Sequence, residues 1–250
     1  MSFLLRDSTK KKKKTTTTEP LAAAALEQAQ AKLRWVDDTF STWKPQSPVS
    51  RLRRGEIGLD EAPPEVSEVL EFCRLVRAAS DGWFDPWSMP GGVDPTGLVK
   101  GWAVERALDE LKAAGVPAAM INAGGDIAVY GQPETGQPWR IGVRHPLDPG
   151  AMVLVAEIDG PGAVATSGTY KRGGHLLGPA GGEPVNGLLS ATVIGRDLAF
   201  ADALATAVFV SGGELLERIG RLSGYHAIVV EADGGLRASH GFPVGLRFAA

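Results

Sequence analysis

The sequence predicts an α+β protein, with helices at the front of the chain and clustered strands behind them. Apolar residues recur at helical spacing up to about Leu111, whereas short β-type runs dominate from Ala118 onward. Because helices and strands are segregated along the chain, a regular alternating fold is not expected. With 250 residues and 44% hydrophobic composition, the chain is long enough to bury a sizeable core.

Helical periodicity predicts three helices in the first half of the chain. The first has apolar residues three and four apart over residues 26–40, with Pro20 near its start. The second covers residues 64–79, where Pro64 suits the first turn, and the third begins near Val99. Residues 47–59, between the first two helices, are expected to form a polar loop.

Short apolar runs bounded by glycine and proline predict the strands. These runs are residues 3–5, 118–122, 127–130, 139–143, 152–158, 163–166, 189–194 and 227–231.

A fourth helix is expected over residues 198–210, between the last two strands. All its residues except Asp202 and Thr206 are apolar, so it has no water-facing side and should be buried. A buried Asp202 must be protonated, paired or bound to a cation. Thr206 lies one turn later on the same face, and Mg²⁺ accepts such oxygens when it also keeps waters and a substrate phosphate. An internal cap or ion pair for Asp202 is the alternative.

Several turns carry residues suited to phosphate or ribose. Lys100 follows the turn that begins at Asp94 and is expected in the first turn of a helix, where backbone N–H groups favour an anion. Residues 123–126 leave a strand through two glycines, and residues 166–170 end another strand in hydroxyls. Each of these is also compatible with an ordinary turn. His175 lies in a glycine-rich loop and is a candidate for proton transfer.

Composition excludes several classes of protein. The net charge of −3 offers no overall basic field for nucleic acid, and the single Cys73 rules out an internal disulfide. The lysine run 10–14 and the threonine run 15–18 are expected to form a solvated loop. Dinucleotide-binding G-x-G-x-x-G, P-loop, G-x-S-x-G and zinc-ligand spacings do not occur.

The location expected from the sequence is cytoplasmic. No apolar run approaches the roughly 18 residues needed to cross a bilayer. The residues after Met1 form neither a secretory signal nor a lipid-attachment site, because charge follows a very short apolar stretch and no cysteine lies nearby. Stable membrane insertion is therefore not expected.

A set of motifs occurs in one order along most of the chain. They are residues 41–43 (Ser-Thr-Trp), 82–86 (Gly-Trp-Phe-Asp-Pro), 94–103 (Asp through Lys-Gly-Trp-Ala), 122–126 (Asn-Ala-Gly-Gly-Asp), 165–170 (Ala-Thr-Ser-Gly-Thr-Tyr), His175 and 201–206 (Ala-Asp-Ala-Leu-Ala-Thr). Taken together, from about Leu33 to Val230, the chain resembles the FAD:protein FMN transferase family, often called ApbE. The resemblance implies one ApbE-like, T-fold-related domain over residues 1–250, in which residues 1–19 are a strand remnant and the Lys/Thr-rich loop.

The resemblance also implies an activity. Members transfer FMN from FAD to a threonine or serine hydroxyl of an acceptor protein, with Mg²⁺ and release of AMP. Carried over to this chain, it implies that Asp202 and Thr206 hold the metal with backbone oxygens of Gly97 and Ala205. It also implies that FAD is lined by Trp83, Phe84, Asp85, Asp94, Lys100 and His175, and that His175 and Asp202 carry the catalytic proton chemistry. A pyrophosphatase that uses water as acceptor and a non-catalytic FAD-binding protein are the alternatives.

The chain departs from the family pattern at two places. The family's opening strand carries Met-Gly-Thr, whereas this chain begins with what resembles the tail of that strand, residues 2–6. After the histidine the family reads His-x-x-Asp-Pro-x-Thr-Gly, but here the Asp and Thr positions are Gly178 and Gly181. We expect these glycines to orient His175 less firmly, because two polar side chains are lost.

Overall fold

The computed structural model describes residues 2–5, 18–133, 136–148, 150–168, 187–243 and 247–249. Four helices precede most of the strands, and neighbouring strands are antiparallel with one exception. The predicted α+β class is therefore confirmed.

The strands form two sheets. Their bounds are β1 (Ser2–Leu5), β2 (Ala119–Ala123), β3 (Asp126–Tyr130), β4 (Trp139–Arg144), β5 (Met152–Asp159), β6 (Gly162–Gly168), β7 (Leu188–Gly195), β8 (His226–Glu231), β9 (Leu236–Ala238) and β10 (Arg247–Ala249). Seven of them make an antiparallel sheet in the order β1-β2-β3-β6-β7-β8-β9. The other sheet has the order β10-β5-β4, in which β10 runs parallel to β5.

The helices lie on one side of the seven-stranded sheet. They are α1 (Thr18–Phe40), α2 (Pro48–Arg53), α3 (Pro64–Ala79), α4 (Thr96–Ala113), α5 (Leu198–Val210) and α6 (Leu216–Ile219). Short 3₁₀ turns cover Leu59–Glu61 and Pro86–Ser88. None of the helices among the described residues is long and apolar enough to cross a membrane.

Alternating residues of the large sheet separate two cores. In β6, Ala163 and Ala165 pack with the helices, whereas Val164 packs with the three-stranded sheet. In β7, Ala191 faces the helices and Ile194 faces the other way. This alternation follows from the two-residue period of a strand. The alanines on the helical side let a helix approach the sheet closely.

Helix α5 takes that central place. It contacts β6 and β7 on one side and α4 and α3 on the other. Its bounds and its burial are those predicted from its uniformly apolar sequence. Asp202 is therefore a core carboxylate, with 4% of its surface exposed.

The predicted polar loop at residues 47–59 was wrong, because α2 lies within it. The Ser47 side chain accepts a hydrogen bond of 3.0 Å from the Ser50 N–H, and Pro48 takes the first helical position. This pair is a strong helix start, which outweighs the polar composition of the stretch. Helix α4 also begins earlier than expected, at Thr96, so Lys100 lies in its second turn rather than its first. Helix α6 and strands β9 and β10 were not predicted.

Candidate active site

A cavity of about 440 Å³ opens where the start of α4, the turn between β2 and β3, the end of β6 and helix α5 meet. It is lined by Trp83, Phe84, Asp85, Pro86, Met89, Asp94, Thr96, Gly97, Lys100, Ala123, Gly124, Asp126, Thr166, Ser167, Gly168, Asp202 and Thr206. The motifs singled out in the sequence therefore converge on one cavity, although they are spread over more than a hundred residues.

Two ion pairs lie at the base of the cavity. The Lys100 ammonium is 2.6 Å from Asp126 Oδ2 and 3.0 Å from Asp202 Oδ1. Both carboxylates are almost fully buried, whereas 41% of the lysine side chain is exposed. Burial lowers the pKa of Lys100, but the two carboxylates outweigh it and raise the pKa above its ordinary value. The lysine is therefore an ammonium that neutralises one of the two acids.

The Asp202 carboxylate is only half satisfied. Its Oδ2 atom is buried and has no hydrogen-bond partner among the described residues. Burial raises the pKa of Asp202, Lys100 and the backbone N–H of Gly101 oppose the rise, and the negative charge of Asp126 adds to it. An ionised Asp202 thus has one buried oxygen that accepts no hydrogen bond from the described part of the chain, which costs free energy.

Thr206 lies one turn of α5 after this carboxylate, and its hydroxyl contacts that of Ser167. Thr206 Oγ1 and Ser167 Oγ share a hydrogen bond of 3.2 Å. Ser167 comes from β6 and Thr206 from α5, so the sheet and the buried helix each supply one oxygen. Both hydroxyls line the cavity.

Asp126 is held in place from behind. Its Oδ1 accepts a hydrogen bond of 2.8 Å from the Thr166 N–H, while Oδ2 faces Lys100. The preceding turn has positive φ at Gly124 and Gly125, a backbone conformation that favours glycine. Gly124 lines the cavity, and a Cβ atom placed on it would meet nothing within 4 Å, so there is space beside it.

Two neighbouring aromatic residues of the cavity, Trp83 and Phe84, differ in how deeply they are buried. Phe84 is buried, and its ring lies 3.1 Å from where a Cβ of Gly97 would stand. Trp83 is half-buried. Because a ring must be accessible to stack on a ligand, Trp83 is the better stacking surface and Phe84 mainly supports the start of α4.

Asp85 and Asp94 already use both oxygens within the protein. Asp85 accepts from the Trp87 N–H at 3.0 Å and lies 2.9 Å from Arg77. Asp94 accepts from both the N–H and the hydroxyl of Thr96, and its other oxygen lies 3.0 Å from Arg53. These two acids fix the loop that walls the cavity, and contact with FAD stays a prediction for both.

Arg53 was missed in the sequence because it lies in the supposed polar loop. Its guanidinium donates to the carbonyls of Pro90 at 2.6 Å and Gly91 at 3.2 Å, besides its pair with Asp94. It therefore ties α2 to the loop ahead of α4. No local pattern marks this arginine, because its partners lie about forty residues away.

Two cavity residues were not predicted from the sequence, and two predicted residues are not seen in the cavity. Asp126 and Ser167 lie in quoted motifs but were not chosen as site residues. The position of Asp126 directly after Gly-Gly at a strand start was the available signal. Ala205 is buried in α5 and is not among the lining residues, so the role of its carbonyl stays a prediction. His175 lies outside the described residues, and its predicted role is not tested.

The residues present fit a divalent cation. Asp202 Oδ2 is a buried oxygen to which none of the described residues donates a hydrogen bond, and Thr206 adds a hydroxyl on the same helix face. Among the described residues, no three acidic, histidine or cysteine side chains cluster as a ligand set. A cation held here would therefore need backbone, water or substrate oxygens, a pattern typical of Mg²⁺ beside a phosphate.

Part of this chain is similar in sequence to curated FAD:protein FMN transferases. A FAD:protein FMN transferase of Rhodobacter capsulatus is 35% identical over 151 residues, which are 57% of this chain and 28% of that protein. One of Vibrio cholerae is 37% identical over 134 residues, which are 49% of this chain and 39% of that protein. The matched stretch thus spans well under half of these curated relatives.

Solved structures share the fold over nearly the whole chain. The ApbE protein of Thermotoga maritima has a TM-score of 0.76 at 24% identity, and the match covers 92% of each chain. A flavin transferase ApbE of Vibrio cholerae has a TM-score of 0.74 at 23% identity, covering 88% of this chain and 89% of that one. The ApbE family model matches residues 9–91 and 88–229. Because these matches take in the strands, the helices and the cavity just described, the chain belongs to the ApbE family.

Proposed function

We propose that this chain transfers FMN from FAD to a threonine or serine hydroxyl of an acceptor protein, in the presence of Mg²⁺ and with release of AMP. Its relatives are named FAD:protein FMN transferases, and the cavity carries the residue types that such a transfer needs. The metal, the acceptor hydroxyl and AMP as the product are the finer parts of this proposal. The cytoplasmic location stays a prediction from the sequence.

The strongest support is that Asp202 Oδ2 is buried and accepts no hydrogen bond from any residue that the structure describes. One ammonium faces two carboxylates at the base of the cavity, so the cluster keeps a negative charge while both acids are ionised. A pyrophosphate would be repelled by that charge. A divalent cation at Oδ2 reverses its sign, which explains how a cavity with acidic residues at its base is suited to an anionic substrate.

The proposed step exchanges one phosphoester partner for another. The acceptor hydroxyl oxygen forms a bond to the phosphorus on the FMN side, and the bond from that phosphorus to the AMP oxygen breaks. The hydroxyl proton passes to His175 or Asp202, and AMP takes the electron pair of the broken bond. Mg²⁺, when bound, supplies positive charge that offsets the charge building on the phosphate oxygens.

This chain's own residues have separate tasks in that step. Lys100 brings a fixed positive charge within reach of the phosphates, since Asp126 holds its ammonium in the cavity. Trp83 offers a ring face to the flavin or the adenine. The absence of a side chain at Gly124 leaves space in the cavity for a ligand.

A direct assay tests the proposal. The purified chain is incubated with FAD, Mg²⁺ and a protein substrate that carries an accessible threonine in a flavinylation-type sequence. AMP release and covalent flavin fluorescence on a denaturing gel are followed together. We expect both products, we expect EDTA to abolish both, and we expect Asp202→Asn to form neither.

The same assay separates the alternatives. AMP and free FMN without labelled acceptor, for several acceptors, would indicate a pyrophosphatase. FAD binding with neither product would indicate a binding protein and would direct attention to Gly178 and Gly181 beside His175. Either result contradicts the transferase proposal.

A further inference from the structure

The first turn of helix α5 starts inside the protein. Leu198 and Ala199 are 0% and 3% exposed. The first N–H groups of any helix have no partner within the helix, and here water does not reach them freely. They therefore need acceptors from elsewhere in the chain.

Glu105, on helix α4, supplies one of these acceptors. Its Oε1 atom accepts hydrogen bonds from the N–H groups of both Leu198 and Ala199, the latter at 3.0 Å. The next N–H, that of Phe200, donates to the cap residue Asp197 at 3.1 Å. The start of α5 is thus fastened to α4 by a single carboxylate that comes from 93 residues earlier.

A close backbone contact reinforces this link one turn away. Gly101 lies four residues before Glu105, so both face α5 from the same side of α4. A Cβ at Gly101 would stand only 2.4 Å from the Leu198 carbonyl oxygen. Glycine therefore lets the two backbones touch, and Glu105 fixes how far along α4 the start of α5 sits.

The position of α5 along α4 determines how close the site residues on the two helices lie. Lys100 is next to Gly101 in α4, and Asp202 lies one turn beyond Leu198 in α5. The 3.0 Å approach of Lys100 to Asp202 Oδ1 therefore depends on the same helix pair that Glu105 joins. A shift of α5 by about one ångström would alter that ion pair and move Oδ2 relative to Thr206.

We propose that Glu105 is a positioning residue, which holds α5 against α4 so that Asp202 keeps one oxygen on Lys100 and the other free for a cation. The identity of that cation as Mg²⁺ rests on the proposed function. Glu105 does not line the cavity, so it acts through Asp202 and not on the substrate.

The test compares variants of the full chain. Glu105→Ala removes the acceptor, whereas Glu105→Gln keeps an oxygen that accepts the same two hydrogen bonds. Glu110→Ala, on the same helix, is the matched control. Mg²⁺ affinity is measured by isothermal titration calorimetry on the ligand-free chain, FAD affinity by flavin fluorescence without Mg²⁺, and folding by circular dichroism.

Loss of a group that is hydrogen-bonded to a metal ligand typically weakens metal binding by about 10–100-fold. Glu105 contacts the N–H groups of Leu198 and Ala199 and not Asp202 itself, so we expect Glu105→Ala to weaken Mg²⁺ binding by about the lower end of that range. We expect Glu105→Gln and Glu110→Ala to bind Mg²⁺ like the unchanged chain, and FAD affinity to change little in all three. Glu105→Ala that melts at a lower temperature yet binds Mg²⁺ normally would show a merely structural role and overturn the proposal.

A second variant covers the case in which Glu105→Ala does not fold. Glu105→Asp keeps the charge but is one methylene shorter, so it reaches the two N–H groups only by drawing α5 towards α4. Weakened Mg²⁺ binding in a folded Glu105→Asp chain supports the proposal, and unchanged binding overturns it.

If the unchanged chain binds FAD but no Mg²⁺, the metal in the proposed function fails and this proposal fails with it. If the unchanged chain binds Mg²⁺ and the Glu105 variants bind it equally well, only the proposal about Glu105 fails.

Discussion

Lys100 lies 3.0 Å from Asp202 Oδ1, while Oδ2 of the same carboxylate is buried and has no hydrogen-bond partner in the described ranges of the chain. The lysine ammonium therefore balances part of the charge in the cavity and leaves one oxygen available. The arrangement is suited to hold a cation because a protein cation already occupies one side and the other side is unsatisfied.

The first prediction concerns Asp202→Asn. The asparagine is neutral, so the free-energy cost of burying the Asp202 charge is removed, and its oxygen still accepts a hydrogen bond from Lys100. We expect the melting temperature of the Mg²⁺-free chain to stay the same or to rise. We also expect Mg²⁺-dependent AMP release to fall by more than about 100-fold, beyond the usual effect of an outer partner. Full activity in a folded Asp202→Asn chain would remove Asp202 from the metal site.

The second prediction concerns the contact between α4 and α5. Gly101→Ala places a Cβ 2.4 Å from the Leu198 carbonyl oxygen, so the two helices must move apart. Overpacking of this kind costs about 1–3 kcal/mol. We expect a lower urea midpoint together with weaker Mg²⁺ binding. Ala113→Gly, at the exposed end of α4, serves as control and should lower stability by no more than about 1 kcal/mol with Mg²⁺ binding unchanged. Equal effects of the two variants on Mg²⁺ binding would contradict the prediction.

The third prediction concerns pH. Burial raises the pKa of Glu105 to about 7, from an ordinary value near 4.5. Because the folded chain binds this proton more tightly than the unfolded chain, the contribution of Glu105 to the free energy of unfolding is fully present below pH 4.5 and is lost as the pH rises through about 7.

Urea midpoints of the chain and of Glu105→Gln measure this contribution, without Mg²⁺, between pH 4.5 and pH 7.5. We expect the unchanged chain to lose stability relative to Glu105→Gln as the pH rises, because the amide does not titrate. A constant difference between the two midpoints across this range would show that Glu105 has an ordinary pKa.

The fourth prediction concerns the loop that walls the cavity. Arg53→Ala removes three hydrogen bonds that tie α2 to Pro90, Gly91 and Asp94. We expect FAD affinity to fall several-fold, because the loop loses its anchor, while Mg²⁺ affinity changes little. Arg51→Ala is the control, since Arg51 lies on the same short helix and pairs with Glu56 at 3.7 Å and not with the loop. Unchanged flavin fluorescence titrations for Arg53→Ala would contradict this role.

The spacing of apolar residues and the helix start signals were enough to predict helices α3 and α5. Helix α5 follows from an apolar run interrupted only by Asp202 and Thr206, and α3 follows from periodicity with Pro64 in its first turn. The burial of Asp202 followed from the same pattern. Helix α2 was missed because polar composition was weighed above the Ser47-Pro48 start signal.

Partnerships across the chain were beyond local patterns. The contact of Lys100 with a ligand anion stays a prediction, but its ion pairs with Asp126 and Asp202 were not foreseen. The Glu105 link to α5 and the Arg53 link to the loop ahead of α4 also join distant segments. Such pairs depend on how helices pack on the sheet, which no single stretch of sequence specifies. All the site residues implied by the family resemblance line the cavity, except Ala205 and His175, which lies outside the described residues. The resemblance did not indicate how these residues contact one another.

The most direct measurement of the central claim is a crystal structure of the chain soaked with Mn²⁺, whose anomalous scattering locates a cation that replaces Mg²⁺. We predict an anomalous peak about 2.1 Å from Asp202 Oδ2, with Thr206 Oγ1 in the same coordination sphere and Lys100 still on Oδ1. The Asp202→Asn crystal should lose that peak. A peak elsewhere in the cavity, or no peak beside a still unpartnered Oδ2, would contradict the account of this carboxylate as the cation site.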